Sequence, residues 1–181
     1  PPIVVSPYDA ELYGHWWYEG PQFIDYLIRK VAFDQEVFKL ATPGDYLREN
    51  PEQQLATPPL CSWGAGGYAA VWLDGTNDWI YRHLHKAAER MIALANDIRL
   101  PTPLERRALD QAARELLLAQ SSDWAFIMKT GTMVEYAIRR TKEHVLRFTR
   151  LHDQLRAHQV DEGWLRSVES RDNIFPEIDH T

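Results

Sequence analysis

The apolar positions of the chain fall into two unlike stretches. Residues 3–6, Ile-Val-Val-Ser, form a short β-branched run bounded by prolines, the pattern of a buried strand. Residues 7–17 are polar and aromatic and read as a loop. Gly20-Pro21 opens a helix, with proline where the first turn has no use for its N–H; Phe23, Ile24, Leu27, Ile28 and Val31 then recur at helical spacing. Residues 36–40, Glu-Val-Phe-Lys-Leu, predict a second strand. Strand, loop, helix and strand in this order make a βαβ unit, whose functional loops lie at the C-terminal ends of its strands.

Beyond residue 42 the pattern becomes helical. Thr42-Pro43 starts a short helix, and residues 50–61 are rich in Pro and Gln and read as a linker. A segment with three glycines among aromatics, Cys61-Ser62-Trp63-Gly64-Ala65-Gly66-Gly67-Tyr68, suits a shaped loop. Residues 77–96 carry Trp79, Ile80, Leu84, Ala87, Ala88, Met91, Ile92 and Ala95 at helical spacing. Thr102-Pro103-Leu104-Glu105 is a capping box with proline at the first helical position, and its helix runs to about Gln120. A short helix from Ser122 breaks near Gly131. A long helix over 132–158 follows, with Val134, Ala137, Ile138, Thr141, Val145, Phe148, Leu151 and Leu155 on one stripe. Residues 161–171 predict a last helix, and Asn173-Ile174-Phe175-Pro176 an extended tail. The expected fold is therefore mainly α: a C-terminal helical bundle preceded by a short βαβ remnant of a sheet domain. The expected divisions are 1–50 for the sheet remnant, 51–75 for a Trp- and Gly-rich connection and 76–181 for the helical domain.

Composition narrows the function classes. With 45% hydrophobic and 25% charged residues the chain has the balance of a globular protein, and no apolar run reaches the length of a membrane-spanning helix. The net charge of −6 disfavours a nucleic-acid partner. One cysteine, Cys61, allows no internal disulfide and fits a reducing compartment, so a cytoplasmic location is expected. The chain begins Pro1-Pro2-Ile3 without Met, which suggests a piece of something longer.

Candidate chemistry centres on carboxylates and tryptophans. Asp9 and Glu11 sit two apart after the first expected strand; on an extended backbone both would point to one side. A carboxylic acid beside another carboxylate in an aromatic pocket holds its proton to higher pH, as a general acid for glycoside cleavage must. The alternative is a pair of solvated loop carboxylates or a helix cap. Glu11 with His15 is too loose a spacing for a metal site, and neither a metal nor a cofactor is expected. His83 and His85 read as surface residues, and His144, His152 and His158 as the exposed side of the long helix. Of seven tryptophans, Trp79, Trp124 and Trp164 sit in apolar-periodic helices and belong to the core. Trp16, Trp17, Trp63 and Trp72 lie in polar, glycine-rich loops, where flat aromatic faces suit either a sugar ring or a domain interface. No serine sits in a nucleophile elbow, and Gly64-Ala65-Gly66-Gly67 matches neither nucleotide-binding fingerprint.

Longer motifs add a resemblance. Tyr8-Asp9-Ala10-Glu11-Leu12-Tyr13-Gly14-His15-Trp16-Trp17-Tyr18-Glu19-Gly20-Pro21 resembles the fourth sequence motif of glycoside hydrolase family 57, in the GHWW form of its α-1,4-glucan branching enzymes. Ser62-Trp63-Gly64, Val71-Trp72-Leu73 and Asn77-Asp78-Trp79 resemble the loop and first helix of that family's C-terminal domain. Residues 108–126, with Ala113-Arg114-Glu115-Leu116-Leu117-Leu118-Ala119-Gln120-Ser121-Ser122-Asp123-Trp124, resemble its fifth motif, and Asp172-Asn173-Ile174-Phe175-Pro176 also fits.

The resemblance implies an incomplete (β/α) barrel followed by a helical domain, and a retaining mechanism with a Glu nucleophile and an Asp acid/base. Asp9 matches the acid/base position. Trp63 and Trp72 match aromatic positions of the glucan groove. Asp123 and Trp124 lie in the motif that supports the cleft from the helical side, and His15 and Trp17 match motif letters expected to bind substrate. The family's first three motifs, which hold the nucleophile, are not in this chain. The resemblance thus implies part of an α-1,4-glucan branching enzyme, inactive by itself, with α-glucan and the N-terminal barrel as partners. The related alternatives are a 4-α-glucanotransferase or amylase, and the alternative of another class is a non-catalytic glucan- or partner-binding helical module. The torn sheet edge is expected to favour self-association.

Overall fold

The computed structural model describes residues 2–180, and the regular secondary structure among them is helical. The chain divides into two compact units, Pro1–Pro58 and Pro59–Thr181, a break that falls between the expected boundaries at 50 and 75.

In the first unit a single π-helical turn, Leu12–Trp16, precedes α1, Gly20–Phe33, and α2, Pro43–Glu49. Helix α2 starts on a full capping box, in which Thr42 and Asp45 serve each other's backbone N–H groups. The expected βαβ remnant is not formed: among the described residues no strand exists, and 3–6 and 36–40 carry no ladder. For the second segment the reason lies in Gln35. Its side chain donates to the carbonyls of Val31 and Phe38, both at 2.8 Å, and accepts from the N–H of Val37 at 2.9 Å and of Phe38 at 3.2 Å. Backbone groups that a strand would offer to a neighbour are thereby satisfied locally. Among the described residues of this unit only Gly20 and Val31 are buried, and Val4, Val5, Tyr18, Phe33 and Val37 stand exposed.

The second unit is the helical bundle: α3, Trp79–Asp97; α4, Pro103–Ala119; α5, Ser122–Thr130; α6, Val134–Arg156; and α7, Glu162–Glu169. The capping box on α4 forms as its sequence predicts, and Gly131 closes α5 at φ 85°, a left-handed position that glycine takes without a Cβ penalty. Two apolar clusters run along the bundle. One joins Met91, Leu94, Leu109, Phe148, Leu151 and Leu165 from α3, α4, α6 and α7. The other joins Ile80, Leu84, Trp124, Met128 and Ala137 from α3, α5 and α6. Burial of these faces, at about 25 cal/mol per Å² of apolar surface, is the main stabilising force of the bundle.

His144 departs from the expected exposed side of α6: it is fully buried. It continues the series Ala137, Thr141, Phe148, Leu151 and Leu155, all buried, at spacings of three and four. His152 is half-buried and stacks on Phe148, while His83, His85 and His158 are exposed.

Candidate functional site

The sequence-predicted residues occupy both units. In the first, Asp9 is exposed, and its carbonyl accepts the N–H of Leu12 at 3.2 Å. The backbone has already turned helical at Glu11, φ −57° and ψ −33°. Asp9 and Glu11 therefore lack the extended geometry that would aim both carboxylates to one side. His15 is exposed at the end of the turn. Trp17 is half-buried between Tyr13 and Phe23, ring centroids 6.1 and 5.0 Å away. The turn closes tightly on α1: a Cβ on Gly20 would lie 2.8 Å from the Leu12 carbonyl oxygen, so only glycine fits. Burial, with Tyr8 beside it, pushes the Tyr13 hydroxyl above its ordinary pKa, and no partner meets that hydroxyl among the described residues.

In the second unit the Trp- and Gly-rich segment is a shaped loop. Gly64 admits no side chain, since a Cβ there would stand 2.3 Å from the Ala70 carbonyl oxygen. Gly66 and Gly67 take positive φ, the Ser62 hydroxyl accepts from the N–H groups of Gly64 and Ala69, and a lone antiparallel bridge joins Ala65 to Ala70. Trp63, 75% exposed, meets half-buried Trp72 edge-on with centroids 5.3 Å apart, and Trp72 meets Phe126 of α5 at 6.0 Å. The structure thus gathers Trp63, Trp72 and Phe126 into one aromatic group. Asp123 is exposed in the first turn of α5 and accepts from the Ser121 hydroxyl at 3.0 Å. Trp124 is buried; its indole N–H donates to the Leu118 carbonyl at 2.7 Å, and its ring meets Tyr136 edge-on. Its place is beneath the surface, as a support for α5.

Sequence reasoning missed the residues that hold this loop. Asp74 accepts from Lys129 at 2.7 Å and from both the N–H and hydroxyl of Thr76; the Lys129 bond comes first in holding its carboxyl below the usual range. The Tyr81 hydroxyl donates to the Trp72 carbonyl, and Asn77 is fully buried. The turn-forming run Asp74-Gly75-Thr76-Asn77 was the available signal.

Glu115, His144 and Asp172 are buried with their ligand atoms within 4.8 Å of one another, a grouping that could hold a metal by geometry alone. The surrounding donors argue for an ion-pair network instead. Arg140 lies 2.9 Å from His144 Nε2, which must accept; Nδ1 then carries the proton and donates to Glu115 at 2.7 Å. Arg147 donates to Asp172 at 2.5 Å and lies 4.0 Å from Glu115, so guanidinium groups already hold the places a cation would need. Gln111 and Arg114 extend the network to the carbonyls of Asp172, Ile174, Phe175 and Pro176 and tie down the C-terminal tail.

Comparison with known proteins agrees with this architecture. A 1,4-alpha-glucan branching enzyme of Thermococcus kodakarensis is 35% identical over 96% of this chain, which spans 26% of that protein. The crystal structure of a GH57 branching enzyme from the same archaeon superposes with a TM-score of 0.82 at 33% identity, over 98% of this chain and 33% of that one. The crystal structure of the alpha-amylase AmyC from Thermotoga maritima superposes with a TM-score of 0.73 at 48% identity, over 99% of this chain and 33% of that one. The chain therefore spans only a quarter to a third of the length of these relatives. Residues 83–181 match the family described as "1,4-alpha-glucan branching enzyme, C-terminal", more than half of the chain, and the chain belongs to that family.

Proposed function

We propose that this chain is the C-terminal portion of a retaining 1,4-α-glucan branching enzyme of glycoside hydrolase family 57, forming α-1,6 branches in a glycogen-like glucan. The observation that carries the reading is the family match over residues 83–181, at the end of a chain that carries an exposed Trp63 paired with Trp72. In the complete enzyme Asp9 protonates the departing glycosidic oxygen and then takes the proton of an acceptor 6-hydroxyl. Trp63 and Trp72 stack on the glucan and exclude water, which favours transfer over hydrolysis. His15, Trp17 and Asp123 complete the substrate contacts, and Trp124 supports Asp123 from below. The nucleophilic Glu belongs to the part of the enzyme outside this chain, so the 181 residues alone are inactive. Residues 1–50 form the end of the barrel domain, 51–75 the connection and 76–181 the helical domain. The apolar side chains exposed in the first unit support its packing against the rest of that barrel.

In the full-length protein Asp9→Asn is expected to abolish branching while glucan binding survives. Retained turnover would refute the role of Asp9. The 48% identity to an alpha-amylase favours a second reading, hydrolysis in place of branching. Product analysis on amylose separates the two, because only branching creates α-1,6 linkages.

A further inference from the structure

We infer that Asn77 is a positioning residue that sets the spacing of the Trp63–Trp72–Phe126 group and so governs how tightly a glucan chain is held. The inference rests on the proposed role of Trp63 and Trp72 as the stacking pair.

Asn77 is fully buried at the foot of the tryptophan loop. Its amide nitrogen donates twice: to the Val71 carbonyl at 2.7 Å and to the Ala125 carbonyl at 3.0 Å. Its amide oxygen accepts the N–H of Asp74 at 2.9 Å. A turn residue that only shaped the start of α3 would need the last of these bonds alone. The other two reach the residue before Trp72 and the residue before Phe126, so one planar amide fixes the backbone beneath both rings. The Trp72 and Phe126 rings lie 6.0 Å apart as a result, and Trp63 leans edge-on against Trp72.

Val71 supplies an independent reason for the clamp. Its φ is 102° and that of Ala69 is 62°, left-handed values rare for residues with a Cβ and rarest for a β-branched one. Such a conformation persists only where the surroundings hold it. The Asn77 amide grips the Val71 carbonyl on one side, and the Tyr81 hydroxyl grips the Trp72 carbonyl on the other. Without the amide, the Val71 and Ala125 carbonyls lose this donor and Val71 can relax toward negative φ, which swings the Trp72 ring away from Phe126.

The test uses the full-length protein with Asn77→Ser, Asn77→Ala, Trp63→Ala and, as a stability control in the core, Leu151→Ala. Serine can still accept from Asp74 and loses both long donations, so it isolates the clamp and is the milder variant if alanine fails to fold. Two readouts are taken well below the melting temperature: the exciton couplet that a close tryptophan pair gives in circular dichroism, and KM and kcat on amylose. Asn77→Ser is expected to weaken the couplet and raise KM about tenfold while kcat changes little, the pattern of lost substrate binding. Leu151→Ala, though less stable, keeps the couplet and KM of the parent. An unchanged KM in Asn77→Ser beside a raised KM in Trp63→Ala overturns the role of Asn77 alone. An unchanged KM in Trp63→Ala overturns the stacking reading, and this inference with it.

Discussion

The buried network around Glu115 gives the sharpest test of how the bundle is held. Glu115→Ala removes a fully buried carboxylate that accepts from His144 at 2.7 Å and from Gln111 at 3.0 Å. Gln111 keeps its bond to the Asp172 carbonyl, and Arg147 keeps Asp172 itself. The imidazole N–H is thus the main orphan, at about 1–3 kcal/mol for a buried donor left without a partner. The void left by the shortened side chain adds to this and brings the total to about 3–4 kcal/mol. For a domain of this size that corresponds to a fall of about 10 °C in melting temperature. Urea unfolding followed by circular dichroism measures the change, with an unaltered slope as the condition for reading it as stability. Removing His144 in the Glu115→Ala background should cost less than removing it from the parent, because the two side chains share one bond. A single variant within about 0.5 kcal/mol of the parent, or strictly additive costs, would refute the network. If a cation rather than Arg140 and Arg147 balanced the carboxylates, dialysis of the parent against a chelator would lower its urea midpoint; no change is expected.

Two further outcomes follow from local geometry. Gly64→Ala places a Cβ 2.3 Å from the Ala70 carbonyl oxygen and forces the loop apart, at a cost of about 2 kcal/mol seen in urea unfolding, with the Trp63–Trp72 couplet lost; a parent-like spectrum would contradict the packing. Glu105 is held down to about 2, first by its bond from His158 and then by those from the Thr102 N–H and hydroxyl. Because the folded value lies below the ordinary 4.5, its stabilisation is complete above about pH 4.5 and is lost as pH falls toward 2. Melting temperature followed over that range should fall less steeply in Glu105→Gln, and an identical acid limb in both proteins would rule the contribution out.

The elements legible in the sequence are those whose cause is local. The Thr102–Glu105 box, the Thr42-Pro43 start and the Gly131 stop each lie within four residues, and each forms as read. The strands were illegible because a strand is completed by a neighbour, and residues 36–38 find theirs in the Gln35 side chain instead. The same rule divides the candidate site. Three glycines among aromatics predict a shaped loop with exposed tryptophans; Trp63 is exposed, whereas Trp72 is half-buried. No spacing predicts that Asn77 will reach the Ala125 carbonyl, 48 residues away. His144 is the instructive case, because its position was readable and its side-chain type misled. It stands three residues after Thr141 and four before Phe148, on the stripe that the apolar pattern had marked as core. A buried histidine is excluded only when no partner can satisfy it. Glu115, 29 residues earlier on α4, and Arg140, one turn before it on α6, do so together. Register along a helix therefore outranks polarity whenever the bundle can bring a complementary group to the same layer. Glu115 lies inside the stretch that resembles the family's fifth motif, so the charged letters of that motif serve the bundle interior as well as its surface.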